Sequence, residues 1–350
     1  MIPSNPQNNQ SGPPRAPAWQ HELRQSFTRP HELLAFLGLD PAMPALRAAS
    51  LRDFPLRVPR GFAARMRKGD PHDPLFLQVW PAPQEDETTP GYVIDAVGDL
   101  HRVRGAGLIH KYRGRVLMVA TGACAVHCRY CFRRHFPYSE QLAAREHWAA
   151  ALAEIAADPS IEEVILSGGD PLSLSDDKLA ELVGALDAIP QLKRLRIHTR
   201  QPIVLPERID ERLLAWLDTT RLQTVFVLHA NHPRELDAAV AEALLPLRRR
   251  GIPLLNQAVL LRGVNDDAET LAALSERLFE CGVLPYYLHL LDRVQGAAHF
   301  DLPETRAQEL MRMLSSQLPG YLVPKLVREI AGEPAKTWID WQERSSPQTD

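Results

Sequence analysis

The stretch Thr121-Gly-Ala-Cys-Ala-Val-His-Cys-Arg-Tyr-Cys-Phe-Arg-Arg-His-Phe-Pro137 carries three of the chain's four cysteines. Cys124, Cys128 and Cys131 stand in a C-x3-C-x2-C spacing, and only Cys281 lies elsewhere. The apolar run at 115–120 precedes them, so the three thiols fall on the loop that leaves a strand. Three soft thiolates on one short loop suit iron–sulfur or zinc. A closed structural zinc site wants four protein ligands, which here would mean borrowing His127 or His135 and would make the chain a zinc-binding interaction protein. A four-iron cluster held by three cysteines instead leaves one iron open for chemistry.

The 350 residues allow one large α/β domain with an appendage, and a sizeable core. A net charge of −3 and a pI near 6.5 give no electrostatic reason to expect nucleic-acid or membrane binding. No apolar run has transmembrane length, and Met1 to Ala18 lacks the apolar segment of a signal peptide. Few, clustered cysteines fit a reducing cytoplasm rather than a disulfide scaffold.

Residues 1–18, rich in Pro, Asn and Gln, are expected to be disordered. Residues 19–105 read as a small, mainly helical N-terminal region, with Phe54, Val58, Phe62, Phe76, Leu77 and Trp80 as packing anchors. Residues 106–318 alternate apolar, β-branched runs (115–120, 163–167, 194–198, 224–229, 255–260, 286–290) with helix-period segments (140–157, 177–189, 207–217, 235–250, 268–281, 304–317). Six strand–helix units imply an α/β fold: a parallel sheet rolled into a partial (β/α)6 TIM-like barrel, its site at the C-terminal strand ends. Residues 319–350 form a short C-terminal segment and tail.

Polar residues stand at every one of those ends. Ser167-Gly168-Gly169-Asp170 follows the second strand, and paired glycines let a backbone approach a ligand closely. His198, Thr199 and Arg200 close the third strand, and His229 to His232 the fourth. Asn256 and Gln257 lie on the fifth, and Asp292 follows the sixth.

The cysteine spacing, with Tyr130 beside the last thiol, resembles the radical S-adenosylmethionine (SAM) superfamily. In that superfamily a 4Fe-4S cluster chelates SAM at its open iron and cleaves it to a deoxyadenosyl radical. Over residues ~19–340 the chain further resembles the lysine 2,3-aminomutase family, whose members pair that radical with pyridoxal 5'-phosphate (PLP). The segments that carry the likeness are HKYRGRVLMVATGACAVHCRYCFRRHFPY, ILSGGDPL, FVLHANHP, NQAVLLRGVND, PYYLHLLDRVQGAAHF and GEPAKT. The resemblance implies that Lys336 forms the resting Schiff base with PLP, with Lys325 a nearby competitor. It assigns Lys111, Tyr112 and Arg115 to the PLP phosphate, and Ser167, Gly168, Gly169, Asp170, His229 and Gln257 to SAM. Arg133 would take the substrate carboxylate, as a guanidinium fork suits. Asp292 would take the side-chain ammonium, so lysine fits better than glutamate, which would want a cation there.

Two departures stand out. Glu329 occupies the position of a second ammonium-binding aspartate, one methylene longer. The chain also ends without the cysteine-bearing extension of the catabolic enzymes, and Cys281 reads as an inert buried thiol. Both departures resemble the short bacterial aminomutases that convert (S)-α-lysine to (R)-β-lysine for elongation factor P. That likeness implies a separate lysine ligase, a reductant such as flavodoxin or ferredoxin, and a homo-oligomer smaller than the catabolic assemblies. A 2,3-aminomutase for another amino acid is the alternative enzyme.

Overall fold

The computed structural model describes residues 17–342 apart from 53, 105, 106 and 139–144. Of the expected disorder over 1–18, residues 1–16 lie outside the described residues, as do the start of the 140–157 helix and the tail from 343; Ala18 instead opens a helix that buries Trp19.

One ten-stranded sheet runs in sequence order from end to end. The strands β1 (Val103–Arg104), β2 (Leu108–Tyr112) and β3 (Arg115–Thr121) form an antiparallel meander. From β3 the sheet is parallel through β4 (Glu163–Gly168), β5 (Arg194–Thr199), β6 (Gln223–Leu228), β7 (Leu254–Val259), β8 (Leu284–His289) and β9 (Lys325–Arg328). Antiparallel to β9, β10 (Thr337–Trp338) ends the sheet. The spacing predicts six parallel strands, and β9 is a seventh. Its run, Lys-Leu-Val-Arg, has two apolar residues after a proline, too short a signal to separate from a tail.

Four short helices precede the sheet: α1 (Ala18–Arg24), α2 (Pro30–Leu37), α3 (Arg60–Ala64) and α4 (Pro74–Leu77). The crossovers are α5 (Arg145–Ala157), α6 (Asp176–Asp187), α7 (Gln201–Val204) with α8 (Glu211–Leu217), α9 (Ala238–Arg249) and α10 (Ala268–Glu280). Helix α11 (Glu304–Gln317) leads from β8 to β9. Several starts are sharper than periodicity alone suggests, because an aspartate caps the first turn: Asp210 accepts from the Leu213 amide, Asp237 from Val240 and Asp267 from Thr270.

Alternate residues of each strand face outward and inward. The outward set, including Met118, Leu166, Ile197, Phe226, Leu288 and Leu326, merges with the helices into the main apolar core. The inward set is polar: Ser167 is buried, and Arg196, His198, Gln257, Tyr287 and His289 are partly accessible. Since β1 and β10 do not pair, the barrel is open on one side. Side chains bridge that opening. The Tyr112 hydroxyl on β2 donates to Glu329 just beyond β9 (2.5 Å), and Lys111 Nζ lies 3.6 Å from the same carboxylate.

The N-terminal helices build a second core around Trp19, Phe27, Phe62, Phe76 and Trp80, which also takes in Ala125 and Val126 of the cysteine loop. That contact is reinforced by charge. Glu85 accepts from both Arg129 (2.8 and 2.5 Å) and Arg134 (2.5 Å), all three buried, while Phe54 lies beneath both guanidinium groups. Breaking one partner of such a buried group is costly, about 3–5 kcal/mol, so the cysteine loop is clamped from outside the barrel.

Candidate active site

The loop from β3 places Cys124, Cys128 and Cys131 together above the strand ends, all partly accessible. Burial, followed by the charges of its neighbours, drives the Cys124 thiol well up, and burial with the nearby Cys128 lifts Cys131 to about 11. Thiols so disposed ionise when a cation is bound among them, as iron–sulfur ligation requires. Among the described residues no three His, Cys, Asp or Glu side chains converge on a single metal-ion position. A cubane needs no such convergence, since each cysteine holds a different iron. His127 and His135, the two zinc candidates, each use a ring nitrogen on a distant carbonyl, of Pro55 (2.8 Å) and Gln295 (3.1 Å). Cys281 is buried at the end of α10, away from this group.

The glycine pair lies directly against the cysteine loop. A Cβ on Gly169 would stand 2.4 Å from the Ala123 carbonyl oxygen, and one on Gly168, whose φ is +113°, would stand 2.6 Å from that of Thr121. Two backbone bonds lock the approach, Gly169 N–H to Thr121 O (2.6 Å) and Asp170 N–H to Ala123 O (2.8 Å). The sequence alone suggests that these glycines make room for a ligand; the neighbour they admit here is the chain's own cysteine loop. Asp170 departs further from its expected role. Its carboxylate already accepts from the Thr199 hydroxyl (2.7 Å) and the amides of Leu172, Arg200 and Gln201 (3.1, 2.8 and 2.9 Å), so it wires the β4 and β5 ends together rather than facing a cofactor.

Other strand-end polar groups sort the same way. Asn256 exchanges two hydrogen bonds with the Ala230 backbone (2.9 and 3.0 Å), a staple between β6 and β7. His232 accepts from the Arg234 amide (3.1 Å) and caps a turn. By contrast His198, His229, Gln257 and His289 point into the barrel. Among the described residues the His198 Nε2 is buried without a hydrogen-bond partner. Burial, then the nearby cations, depresses His198 and His289, and burial with Arg200 takes His229 down to about 3. These rings are neutral. His229 donates to the Gln257 backbone, which leaves its Nε2 to accept from the Tyr130 hydroxyl (2.8 Å).

The open side of the barrel collects the charged groups. Lys336 Nζ donates to Glu329 (2.8 Å) and lies 5.8 Å from the Tyr287 ring centre. Burial opposes the Glu329 charge, but Lys336 outweighs it and holds the carboxyl below its usual range. Arg115 stacks over the Tyr112 ring (4.6 Å) and has no acidic partner among the described residues. Asp292 is the reverse case. Among the described residues its carboxylate has no hydrogen-bonded partner, and burial pushes it up to about 7 despite Lys336 nearby. Arg133 was expected to stand ready for a carboxylate, yet it is already paired. Its Nε donates to Asp99 (2.7 Å) and its other end to the Ser167 hydroxyl (3.0 Å), while Lys111 holds the second Asp99 oxygen at 2.6 Å. Asp99 escaped the sequence reading because it lies in an irregular stretch 34 residues before Arg133 with no periodicity to mark it.

A parallel barrel with three cysteines on the loop after its first parallel strand is the arrangement of a radical SAM protein, and the Radical SAM superfamily profile matches residues 118–274. The chain is 50% identical to an L-lysine 2,3-aminomutase of Escherichia coli (strain K12) over 327 residues, covering 93% of this chain and 95% of that one. It is 49% identical to the protein of that name from Haemophilus influenzae, covering 91% and 94%. To the Clostridium subterminale enzyme it is 31% identical, covering 91% of this chain and 77% of that one. The chain belongs to the lysine 2,3-aminomutase family of radical SAM enzymes. Membership implies a 4Fe-4S cluster and SAM, and the thiol set fits the cluster. Among the described residues, no helix is long and apolar enough to cross a membrane.

Proposed function

We propose that this protein is a PLP-dependent lysine 2,3-aminomutase that turns (S)-α-lysine into (R)-β-lysine for the modification of elongation factor P. The observation that carries the reading is the convergence, in one open barrel mouth, of Lys336, the guanidinium of Arg133 and the unpartnered acid Asp292. When bound, the cluster with SAM supplies a carbon radical, and PLP supplies a carrier for the substrate amine.

The chain's own residues do the rest. Cys124, Cys128 and Cys131 hold the cluster, while Ser167, Gly168, Gly169, His229 and Gln257 border the SAM space. Asp170 acts there through the loop it braces. Arg115, without an acidic partner, and Lys111 with the Tyr112 hydroxyl offer cations and a donor suited to a phosphate dianion. The orphaned His198 Nε2 offers one further polar contact inside the lumen. Lys336 would anchor PLP at rest, and Glu329, which accepts from its Nζ, would be one acid for a substrate ammonium. Asp292 is the second acid for that ammonium, and Arg133 orients the carboxylate at the opposite end. A cationic side chain pinned at both ends keeps Cβ in a fixed position for hydrogen removal and return.

The short-enzyme likeness in CRYCFRRHFPY and YLVPKLVREIAGEPAKT, with glutamate at 329, supports elongation factor P, through a separate ligase, as the destination. On this reading the protein works in the cytoplasm with a flavodoxin- or ferredoxin-type reductant, as a small homo-oligomer. The test is an anaerobic assay of the reconstituted protein with SAM, PLP, reductant and isotope-labelled lysine, read by chiral mass spectrometry. β-Lysine of one hand supports the proposal; deoxyadenosine without any change in lysine removes the substrate assignment.

A further inference from the structure

Arg200, just after β5, is not used by the reaction as described, yet its guanidinium makes four hydrogen bonds beneath the cysteine loop. Its side chain is 6% exposed. One terminal nitrogen lies 2.8 Å from Cys128 Sγ and 2.6 Å from the Tyr130 hydroxyl. The other is held by Gln78 Oε1 (2.6 Å) and Glu235 Oε2 (2.9 Å), and Asn231 Nδ2 completes the ring by donating to both Gln78 (3.0 Å) and Tyr130 (2.7 Å). Phe62 and Tyr130 flank the guanidinium plane at 5.5 and 5.7 Å.

The orientation matters as much as the contact. Glu235 neutralises the far side of the guanidinium, and the positive edge with its N–H faces the sulfur. That pair is therefore a fixed dipole aimed at Cys128, in a place where solvent cannot screen it. Hydrogen bonds and positive charge at a ligating sulfur stabilise added electron density, which raises a cluster's reduction potential. A lysine could not substitute fully, because the fork lets one side chain hold the carboxylate and the sulfur at once.

We propose that Arg200 is a positioning residue for electron transfer: its N–H···S bond to Cys128 sets the cluster's potential within reach of a one-electron donor. The inference rests on the family reading that Cys128 is a cluster ligand. Its first test needs no variant. The reconstituted full chain, grown with natural or 15N-labelled arginine and reduced with dithionite, is examined by pulsed electron paramagnetic resonance. An exchangeable proton and an arginine nitrogen coupled to the reduced cluster are expected; a cluster with neither overturns the inference while leaving the family reading intact. Iron and sulfide absent from the wild-type chain would instead overturn both. Redox titration of Arg200→Lys and Arg200→Met is the second test. The midpoint is expected to move negative in both, further in the methionine variant, in whatever fraction retains cluster. A purely structural role would lower iron content and leave the midpoint of the remaining clusters unchanged. If neither variant holds cluster, the wild-type coupling decides.

Discussion

Substituting alanine for Gly169 tests the link between the barrel rim and the cysteine loop. The added Cβ would meet the Ala123 carbonyl oxygen at 2.4 Å, and the carbonyl carbons of Gly122 and Ala123 at 2.7 and 2.9 Å. Non-bonded heavy atoms rest comfortably at ~3.5 Å or more, so the two backbones must part by about 1 Å. None of these three contacts is the tip of a flexible side chain, and the loop is fixed on its other face by Glu85. Overpacking of this kind costs about 1–3 kcal/mol, and the bonds from Gly169 and Asp170 to the loop, at about 1 kcal/mol each, weaken with it. The sum, roughly 2–5 kcal/mol, corresponds to a fall of about 3–7 °C in Tm, since an unfolding entropy of ~2.1 cal/mol/K per residue over 350 residues gives ~1.4 °C per kcal/mol. Cys124 adjoins Ala123, so iron and sulfide per chain should fall as well. Gly184→Ala is the internal control: it lies on α6 with nothing within 4 Å of a new Cβ. Relief of the glycine penalty in a helix should raise stability there by about 0.5–1 kcal/mol, or about 1 °C. Calorimetry and iron analysis under anaerobic conditions read both variants. A Gly169→Ala protein with full cluster content and unchanged Tm would refute the argument that these glycines serve the loop.

Asp99→Asn should separate placement from competition at Arg133. Loss of the carboxylate frees two cations, so lysine KM is expected to fall about 5–10-fold if Asp99 competes with the substrate carboxylate, and to rise by a similar factor if it only aims the guanidinium; an unchanged KM with unchanged PLP affinity would remove Asp99 from the site. Lysine binding should tighten as pH rises through about 7, because Asp292 must ionise to hold an ammonium, and Asp292→Asn should abolish that limb; calorimetric titration across pH 6–8 measures it. The sign for stability is opposite. The folded carboxyl titrates near 7 and the unfolded one near 3.8, so the folded state holds the extra proton between them and loses stability as pH rises through that window, with no further change above it. Lys336→Ala should lose the PLP absorbance that borohydride fixes in the wild type, while leaving the cluster's iron content intact; a retained, reducible PLP adduct would transfer the role to Lys325.

How much of this was legible follows from how locally each feature is encoded. The cysteine trio and the six strand–helix units are written in short-range spacing, and they needed no partner elsewhere in the chain to be read. The strand-end polar residues were visible as a set but not divisible: Thr199, Asn256 and Asp170 face neighbouring backbone, whereas His198, His229 and Gln257 face the lumen. Strand alternation could have separated part of that set, since His198 shares the face of Arg196, and Tyr287 that of His289. Roles for Lys336 and Asp292 came through resemblance alone, because a lone lysine or aspartate carries no pattern. The groups that escaped altogether, Asp99, Gln78 and Glu235, act at separations of 34 to 157 residues, from loops whose course only the folded chain reveals. Their common property is physical. Each is a buried partner to a cation on or beside the cysteine loop, and a buried cation without such a partner would carry a desolvation penalty of several kcal/mol. Four arginines in that loop and its rim, Arg129, Arg133, Arg134 and Arg200, were therefore themselves a signal. Buried arginines demand acids, and here Glu85, Asp99 and Glu235 supply them.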